Sequence, residues 1–242
     1  MAETAISFPW EKSFDEVGQY LLTAKQPVNY ETLFGESSVI FLGDTPINLS
    51  IQFELQTQAK ALRDAGISAL LLEADSSQEE LFRQISSGDF SRVSRINFGS
   101  RNKEQLIPML EALQREGIKI VPIDDPKNYG GIEKSSVQER KEFLATKIKE
   151  VAGSEAGKIA VFINFGHAIR EEDSVIDILE GSGVSCRSVI FTGGMDWIPK
   201  VVTESARCAG IAGERFMFLL TGGRRAPYGG GQIMLFIYRK NG

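Results

Sequence analysis

RDAGISALLLE, residues 63–73, is the stretch that decides the fold, and QREGIKIVPID, residues 114–124, repeats its pattern. In each, an amphipathic segment ends at a glycine, an isoleucine follows, and an apolar run leads to an acidic residue. Gly66 and Gly117 stand where helices commonly end with a residue in the left-handed conformation. A helix followed at once by a continuously apolar strand is typical of a parallel sheet that is covered on both faces.

Further apolar runs extend this pattern over most of the chain. The predicted strands are residues 39–43, 67–73, 118–124, 159–164, 188–193, 216–222 and 233–239. Capping boxes predict three helix starts: Ser13 with Glu16, Ser77 with Glu80, and Ser136 with Glu139. Only a glycine-rich loop separates the last two strands, which predicts an antiparallel pair. We therefore predict a single α/β domain over residues 1–242, with a mostly parallel central sheet, helices on both faces and a C-terminal antiparallel hairpin.

The composition restricts the classes of partner. The formal net charge is -5 and the sequence pI is about 5.2. Binding to nucleic acid or to an anionic membrane needs clustered positive charge, so neither partner is expected. The N-terminus has no signal-peptide pattern, and the two cysteines lack the spacing of a metal site, which favours free thiols in the cytoplasm. A translocated effector would have the same features, and a small-molecule or peptide ligand is the expected partner.

Polar residues follow the predicted strands at the points where these strands end. Because the carboxyl ends of parallel strands meet at one edge of a sheet, we expect these side chains to share a cleft. An Asp or Asn in this position often caps the next helix, and that reading is favoured for Asp125 and Asn164 taken singly. Glu73 directly follows three leucines, where a carboxylate needs a bound partner or a raised pKa. The residues concerned are Asp44, Glu73, Asp124, Asp125, Asn164 and His167.

His167 is the only histidine of the chain and follows the strand IAVFIN in the stretch INFGHAIR. A lone histidine beside an apolar strand is more often a hydrogen-bonded structural residue than a functional one. Gly166 permits a close approach of the backbone, and AIREEDSVIDILEG is predicted to form an amphipathic helix after it. If His167 is functional, we expect it to be partly exposed beside Glu73, which would favour the protonated imidazole.

Two parts of the chain carry a resemblance to a known superfamily. FLGDTPINLSIQFELQTQAKALRDAGISALLLEAD, residues 41–75, resembles the opening of the superfamily of TIKI/TraB, haem-uptake ChaN and erythromycin-esterase proteins. In that opening, a strand ends in a glycine-acid-x-histidine turn, and the next strand ends in a glutamate. ERKEFLATKIKEV, residues 139–151, followed by IAVFINFGHA, residues 159–168, is similar to the later signature, an arginine-led helix and a second glycine-histidine element.

The resemblance implies a hydrolase-like site with four catalytic candidates: Asp44, Glu73, Arg140 and His167. It also departs from the superfamily, because Pro46 or Ile47 stands where the first histidine is expected. A site with one imidazole and several carboxylates would suit manganese or magnesium better than zinc, with Glu73 and His167 as metal ligands. Alternatively, the same two residues act without metal in acid/base catalysis, or the fold persists as a non-catalytic domain that binds a ligand such as haem or interacts with a protein.

Further candidates for ligand binding are Asp124 and Asn164 at the strand ends and Arg224 with Arg225 in the loop GRRAPYGGGQ. The two loop arginines could bind a phosphate or carboxylate, but without a Walker or GxGxxG pattern a flexible loop is favoured. For Arg140, a solvated ion pair with Glu139 is the default expectation, and support of a site is the one that the resemblance implies. A serine hydrolase is not indicated, because the chain has no GxSxG sequence.

Overall fold

A seven-stranded sheet joins residues 39 to 237 in this computed structural model, with the strand order β3-β2-β4-β1-β5-β7-β6. The structure describes residues 12–44, 50–98, 101, 103–130, 134–169, 172–191, 197–211, 214–220 and 232–237. The predicted strands are confirmed to within two residues at each end. They are β1 Val39–Asp44, β2 Ile67–Asp75, β3 Lys119–Asp124, β4 Lys158–Asn164, β5 Cys186–Phe191, β6 Arg215–Leu220 and β7 Gln232–Ile237. The limits of the domain, 1–242, stay a prediction.

The pairing of the strands agrees with a mostly parallel sheet. Strands β3, β2, β4, β1, β5 and β7 are parallel neighbours in that order. Strand β6 lies at the edge and pairs antiparallel with β7, from Arg215 opposite Ile237 to Leu220 opposite Gln232. The loop that connects these two strands lies outside the described residues.

Helices cover both faces of the sheet, as predicted. They are α1 Phe14–Ala24, α2 Tyr30–Phe34, α3 Ser50–Thr57, α4 Ala59–Asp64, α5 Glu79–Ser86, α6 Lys103–Arg115, α7 Lys127–Gly130, α8 Val137–Ser154, α9 Phe165–Ala168, α10 Val175–Gly181 and α11 Trp197–Cys208. Helices α2 to α6 pack into one hydrophobic core, and α1, α8, α9, α10 and α11 pack into the other. Alternate residues of β1 enter the two cores, because successive side chains of a strand point to opposite faces. None of the described helices is long and apolar enough to cross a bilayer.

The helix ends show where local sequence signals succeed and where one fails. The capping boxes at Ser13 and Ser136 are confirmed, and Gly66 and Gly117 have φ values of 97° and 73°. The box predicted at Ser77 is wrong, because Ser77 donates both its backbone N–H and its hydroxyl to Asp75. Asp75 begins a short 3-10 turn there, and helix α5 starts only after that turn.

Two further expectations need correction. The segment predicted as one helix after His167 is divided, because Ser174 caps a new helix, α10, after Asp173 adopts a φ of 57°. His167 itself lies in the one-turn helix α9 rather than in a loop. The two cysteines are free thiols as expected, and Cys186 is buried whereas Cys208 is exposed.

The topology places a crevice at the carboxyl end of β4. The chain leaves β1 and β2 towards helices of the first core, and it leaves β3 and β4 towards helices of the second. Strand β4 lies between β2 and β1, so chains diverge to opposite faces on both sides of it. Ligands of open α/β sheets bind at such switch points.

Candidate functional site

Glu73 is held at this crevice by three hydrogen-bond donors. Its Oε1 accepts from Arg140 Nη2 at 2.7 Å, and its Oε2 accepts from the Asn164 backbone N–H at 2.8 Å and from Arg101 Nη2 at 3.3 Å. The side chain is 11% exposed. A carboxylate after three leucines was expected to need a bound partner. Two guanidinium groups and a backbone amide fill that role.

Asp124 is the second buried carboxylate and shares Arg140 with Glu73. Its Oδ1 accepts from Arg140 Nε at 2.8 Å and its Oδ2 accepts from Nη2 at 2.6 Å, which is a bidentate pair. The Tyr129 hydroxyl also donates to Oδ2 at 2.9 Å, and the Asp125 backbone N–H donates to Oδ1 at 2.9 Å. Asp124 is 1% exposed, so its negative charge is neutralised mainly by Arg140.

Two members of this cluster, Arg140 and Tyr129, keep their protons over the ordinary pH range. Burial alone would lower the pKa of Arg140, but its hydrogen bonds and attraction to Asp124 outweigh burial and raise that pKa. Burial, and then the negative charge of Asp124, raise the pKa of Tyr129, so its hydroxyl stays protonated and donates. Nη1 of Arg140 makes no hydrogen bond to a described residue.

His167 lies beside Glu73 without a direct hydrogen bond to it. Its Nε2 is 3.9 Å from Glu73 Oε1, and its side chain is 18% exposed. Partial exposure beside Glu73 is as expected, but the expectation of a favoured imidazolium is wrong. Burial is the largest influence and lowers the pKa of His167; Glu73 raises it by less, and the positive charge of Arg140 lowers it further. The ring is therefore neutral near pH 7, with a nitrogen able to accept a proton.

Gly43 sets how closely helix α9 packs onto β1. A Cβ at Gly43 would lie 2.6 Å from Ala168 Cβ and 3.2 Å from Phe165 Cα, both in α9. At Gly166, by contrast, a Cβ would meet only Asn164 Oδ1, at 3.4 Å. The close approach that the sequence suggested for Gly166 is thus a property of Gly43, which positions the helix that carries His167.

A cleft of about 510 Å³ opens over Glu73 and Asp124. Phe98 is the one purely apolar side chain in its described lining, and Nδ2 of Asn128 is buried with no hydrogen-bond acceptor among the described residues. The polar lining residues are Glu73, Asn97, Arg101, Asp124, Asn128, Tyr129, Lys134, Arg140 and Asn164.

The described residues do not fit the metal or haem that the resemblance implies. They contain no group of three His, Cys, Asp or Glu side chains that could hold a metal ion. Both oxygens of Glu73 already accept hydrogen bonds, two of them from guanidinium groups that would repel a cation. Haem needs a largely apolar slot, whereas this cleft is mostly polar.

The structure brings most of the sequence-predicted residues together. Glu73, Asp124, Arg140 and Asn164 line the cleft and His167 adjoins it, so the expected gathering at one sheet edge is confirmed for them. Asp44 ends β1 opposite Asn164, which places its backbone at the same edge. Arg224 and Arg225 lie outside the described residues.

The capping roles of two strand-end residues are also confirmed. Asn164 Oδ1 accepts from the Gly166 backbone N–H at 3.0 Å, and Asp125 Oδ1 accepts from the Lys127 backbone N–H at 3.0 Å. Burial would raise the pKa of Asp125, but hydrogen bonds from Ser135 and Lys127 outweigh it and lower that pKa. Asn164 therefore serves the cleft and the start of α9 at once, whereas Asp125 shapes the loop before α7.

Sequence reasoning missed five polar residues of the lining: Asn97, Arg101, Asn128, Tyr129 and Lys134. Arg101 is the most consequential, because its side chain is 3% exposed and its Cζ lies 4.1 Å from the centre of the Phe162 ring. Asn128, Tyr129 and Lys134 follow β3, so a wider reading of the segment after that strand could have found them. No periodic pattern marks the segment that contains Asn97 and Arg101.

Several solved structures are similar to this fold. A crystal structure of a Bacillus cereus protein superposes with a TM-score of 0.59 at 11% identity, covering 94% of this chain and 98% of its own. The type III effector HopBA1 superposes with a TM-score of 0.54 at 15% identity, covering 90% of this chain and 97% of its own. No family model and no curated protein matches the sequence. At these identities the likeness extends to the fold alone.

Proposed function

We propose that the chain is a divergent, metal-independent hydrolase that acts on an ester or amide bond of a small molecule or peptide. The observation that carries this proposal is the position of His167, with Nε2 at 3.9 Å from Glu73 Oε1, beside a cleft that Arg140 lines. The resemblance to the TIKI/TraB, ChaN and erythromycin-esterase superfamily supports the same reaction class. The absence of the first histidine, and the pairing of Glu73 and Asp124 with arginine, favour a mechanism without metal.

In this mechanism, His167 acts as the general base. Its Nε2 takes a proton from a water molecule while the water oxygen bonds to the substrate carbonyl carbon, and the carbonyl oxygen becomes negative. Arg140 Nη1 donates to that oxygen, and Glu73 stabilises the new imidazolium by its negative charge. The bond from carbon to the leaving oxygen or nitrogen then breaks, and His167 returns the proton to the leaving atom.

Glu73 orients and stabilises in this scheme rather than taking the proton itself. Its two oxygens already accept three hydrogen bonds, two of them from guanidinium groups, which hold the carboxylate in one orientation. Arg140 also holds Asp124, which keeps the guanidinium in one orientation. Such preorganised donors contribute to catalysis because they need no rearrangement as charge develops.

The experiment is a hydrolysis screen with chromogenic esters and peptide amides, followed by kinetics of His167→Gln. We expect turnover that rises with pH through a pKa below 6.5, the ordinary value for histidine, and that falls by about a hundredfold or more in the variant. A variant that is folded and equally active would refute the role of His167.

A non-catalytic ligand-binding domain is the second candidate. It is favoured by the same pairing of Glu73 and Asp124 with arginine, because both carboxylates are already engaged in ion pairs within the protein. One measurement separates the two functions. A compound that binds to a non-catalytic domain would be recovered unchanged after incubation with the protein, whereas a hydrolase would cleave it.

A further inference from the structure

The described lining of the cleft carries more positive than negative charge. Arg101, Lys134 and Arg140 contribute three positive charges, and Glu73 and Asp124 contribute two negative ones, so the sum is +1. The chain as a whole has a net charge of -5, which makes this lining an exception to its surroundings. A concave site with one excess positive charge attracts an anion of single charge.

The two carboxylates of the cleft already accept hydrogen bonds from the protein. All four oxygens of the two buried carboxylates already accept at least one hydrogen bond, from Arg101, Arg140, Tyr129 or backbone amides. Donor groups of a ligand would therefore compete with partners that are already in place, whereas acceptor groups would not.

Two buried or partly buried donors in the lining lack an acceptor among the described residues. Nδ2 of Asn128 is fully buried and makes no hydrogen bond, and Nη1 of Arg140 makes none to a described residue. Lys134 adds an exposed ammonium group to the same lining. A buried amide N–H without an acceptor costs free energy, which a bound acceptor would recover.

We propose that the cleft binds a singly charged oxyanion, a carboxylate or a phosphodiester, between Asn128, Lys134 and Arg140. The anion would be the recognition group of the substrate, so this assignment names the substrate class and rests on the proposed function. Anion binding, unlike the proposed hydrolysis, can be observed without turnover. Binding of simple anions can therefore be tested without any knowledge of the full substrate.

The experiment titrates ¹⁵N-labelled protein with acetate and with dimethyl phosphate at constant ionic strength, with acetamide and trimethyl phosphate as uncharged counterparts. The side-chain amide signals of Asn128 report binding and are identified by their loss in Asn128→Asp. We expect the anions to shift these signals with a dissociation constant on the order of 1 mM, and the uncharged compounds to shift them little. Binding of acetate alone or of dimethyl phosphate alone would identify which oxyanion the cleft takes, and binding of both would assign their shared chemistry.

Variants of the donors test the location. Asn128→Asp replaces the unpaired donor by a negative charge and Lys134→Gln removes an exposed cation, so each should weaken anion binding about tenfold. The signals of the ring of His167 report binding in Asn128→Asp, where the amide is lost. Lys149→Gln, which removes a cation from the exposed surface of α8, is the control and should leave binding unchanged.

The proposal is overturned if neither anion binds, if the uncharged compounds bind equally well, or if Lys149→Gln weakens binding as much as Lys134→Gln does. His167→Gln separates this proposal from the proposed function, because it should abolish hydrolysis and leave anion binding intact. Anion binding without hydrolysis would refute only the hydrolase, and hydrolysis without anion binding would refute only the oxyanion site.

Discussion

Replacement of Gly43 by alanine should separate helix α9 from the sheet and disturb the site through packing alone. The added Cβ would lie 2.6 Å from Ala168 Cβ, 2.9 Å from Ile190 Cδ1 and 3.2 Å from Phe165 Cα. Carbon atoms in contact are about 3.5 to 4.0 Å apart, so α9 must retreat by about 1 Å or more. Two of the three contacts are to the body of one short helix, which cannot rotate away as a flexible side chain would.

Overpacking of this kind costs typically about 1 to 3 kcal/mol, and we expect Gly43→Ala to lie near the upper end. Urea unfolding should show a lower midpoint with an unchanged slope, because the surface exposed on unfolding is the same. The matched control is Gly166→Ala, whose Cβ would make one ordinary contact at 3.4 Å to Asn164 Oδ1. Alanine also favours the helical conformation there, so this variant should be within about 1 kcal/mol of the parent.

The site provides a second measurement for Gly43→Ala. Since α9 carries His167, a displaced α9 should change the pKa of the single imidazole, which proton NMR measures without assignment. The reasoning is refuted if Gly43→Ala is as stable as Gly166→Ala and leaves that pKa unchanged.

Three further predictions concern electrostatics. The pKa of His167 is lowered in the folded state, so its contribution to stability is fully present above the unfolded value of about 6.5 and is lost as the pH falls through the folded pKa. Urea midpoints should therefore decrease as the pH is lowered through this window, and His167→Gln should flatten this pH profile. Glu73→Gln should lower the imidazole pKa further in an NMR titration, because the attraction of the Glu73 charge is lost. An increase of that pKa would contradict the assigned attraction. Glu54 is buried and accepts hydrogen bonds from Tyr30 and from Arg215 Nε at 2.9 Å, which ties edge strand β6 to α3. Glu54→Gln should destabilise by roughly 2 to 3 kcal/mol, less than for a fully buried pair because Arg215 is partly exposed, and a loss below about 0.5 kcal/mol in urea unfolding would show that this pair contributes little.

The sheet could be predicted because its signals are local and repeated. A strand that is buried on both faces must be continuously apolar, and each preceding helix must end in a turn, so RDAGISALLLE specifies its own structure. The helix ends were less predictable where two polar residues compete. Asp75 and Ser77 both offer oxygen atoms before α5, and the Asp75 carboxylate accepts from the Ser77 backbone N–H and caps the turn.

The order of the strands was not predictable from these signals. Strand β4 lies between β2 and β1, and it is this order that brings the Asn164 backbone amide to Glu73 across 91 positions of sequence. Arg101 shows the same limit, because its partner Glu73 and the Phe162 ring beneath it belong to two different strands. The contacts of residues in irregular segments depend on the tertiary fold, and these segments show no hydrophobic periodicity from which the contacts could be predicted.

The position of Arg140 shows how a local capping motif prepares a distant contact. Neighbouring residues of a helix point in directions about 100° apart, so Glu139 and Arg140 cannot face each other across the first turn of α8. Glu139 instead accepts from the Ser136 backbone N–H at 2.8 Å, which completes the capping box. With Glu139 engaged at the helix start, Arg140 turns inward, and its guanidinium joins Glu73 near the end of β2 and Asp124 at the end of β3. The solvated ion pair expected from sequence is therefore wrong for a geometric reason, and the capping box fixes the helix turn from which Arg140 reaches Glu73 and Asp124.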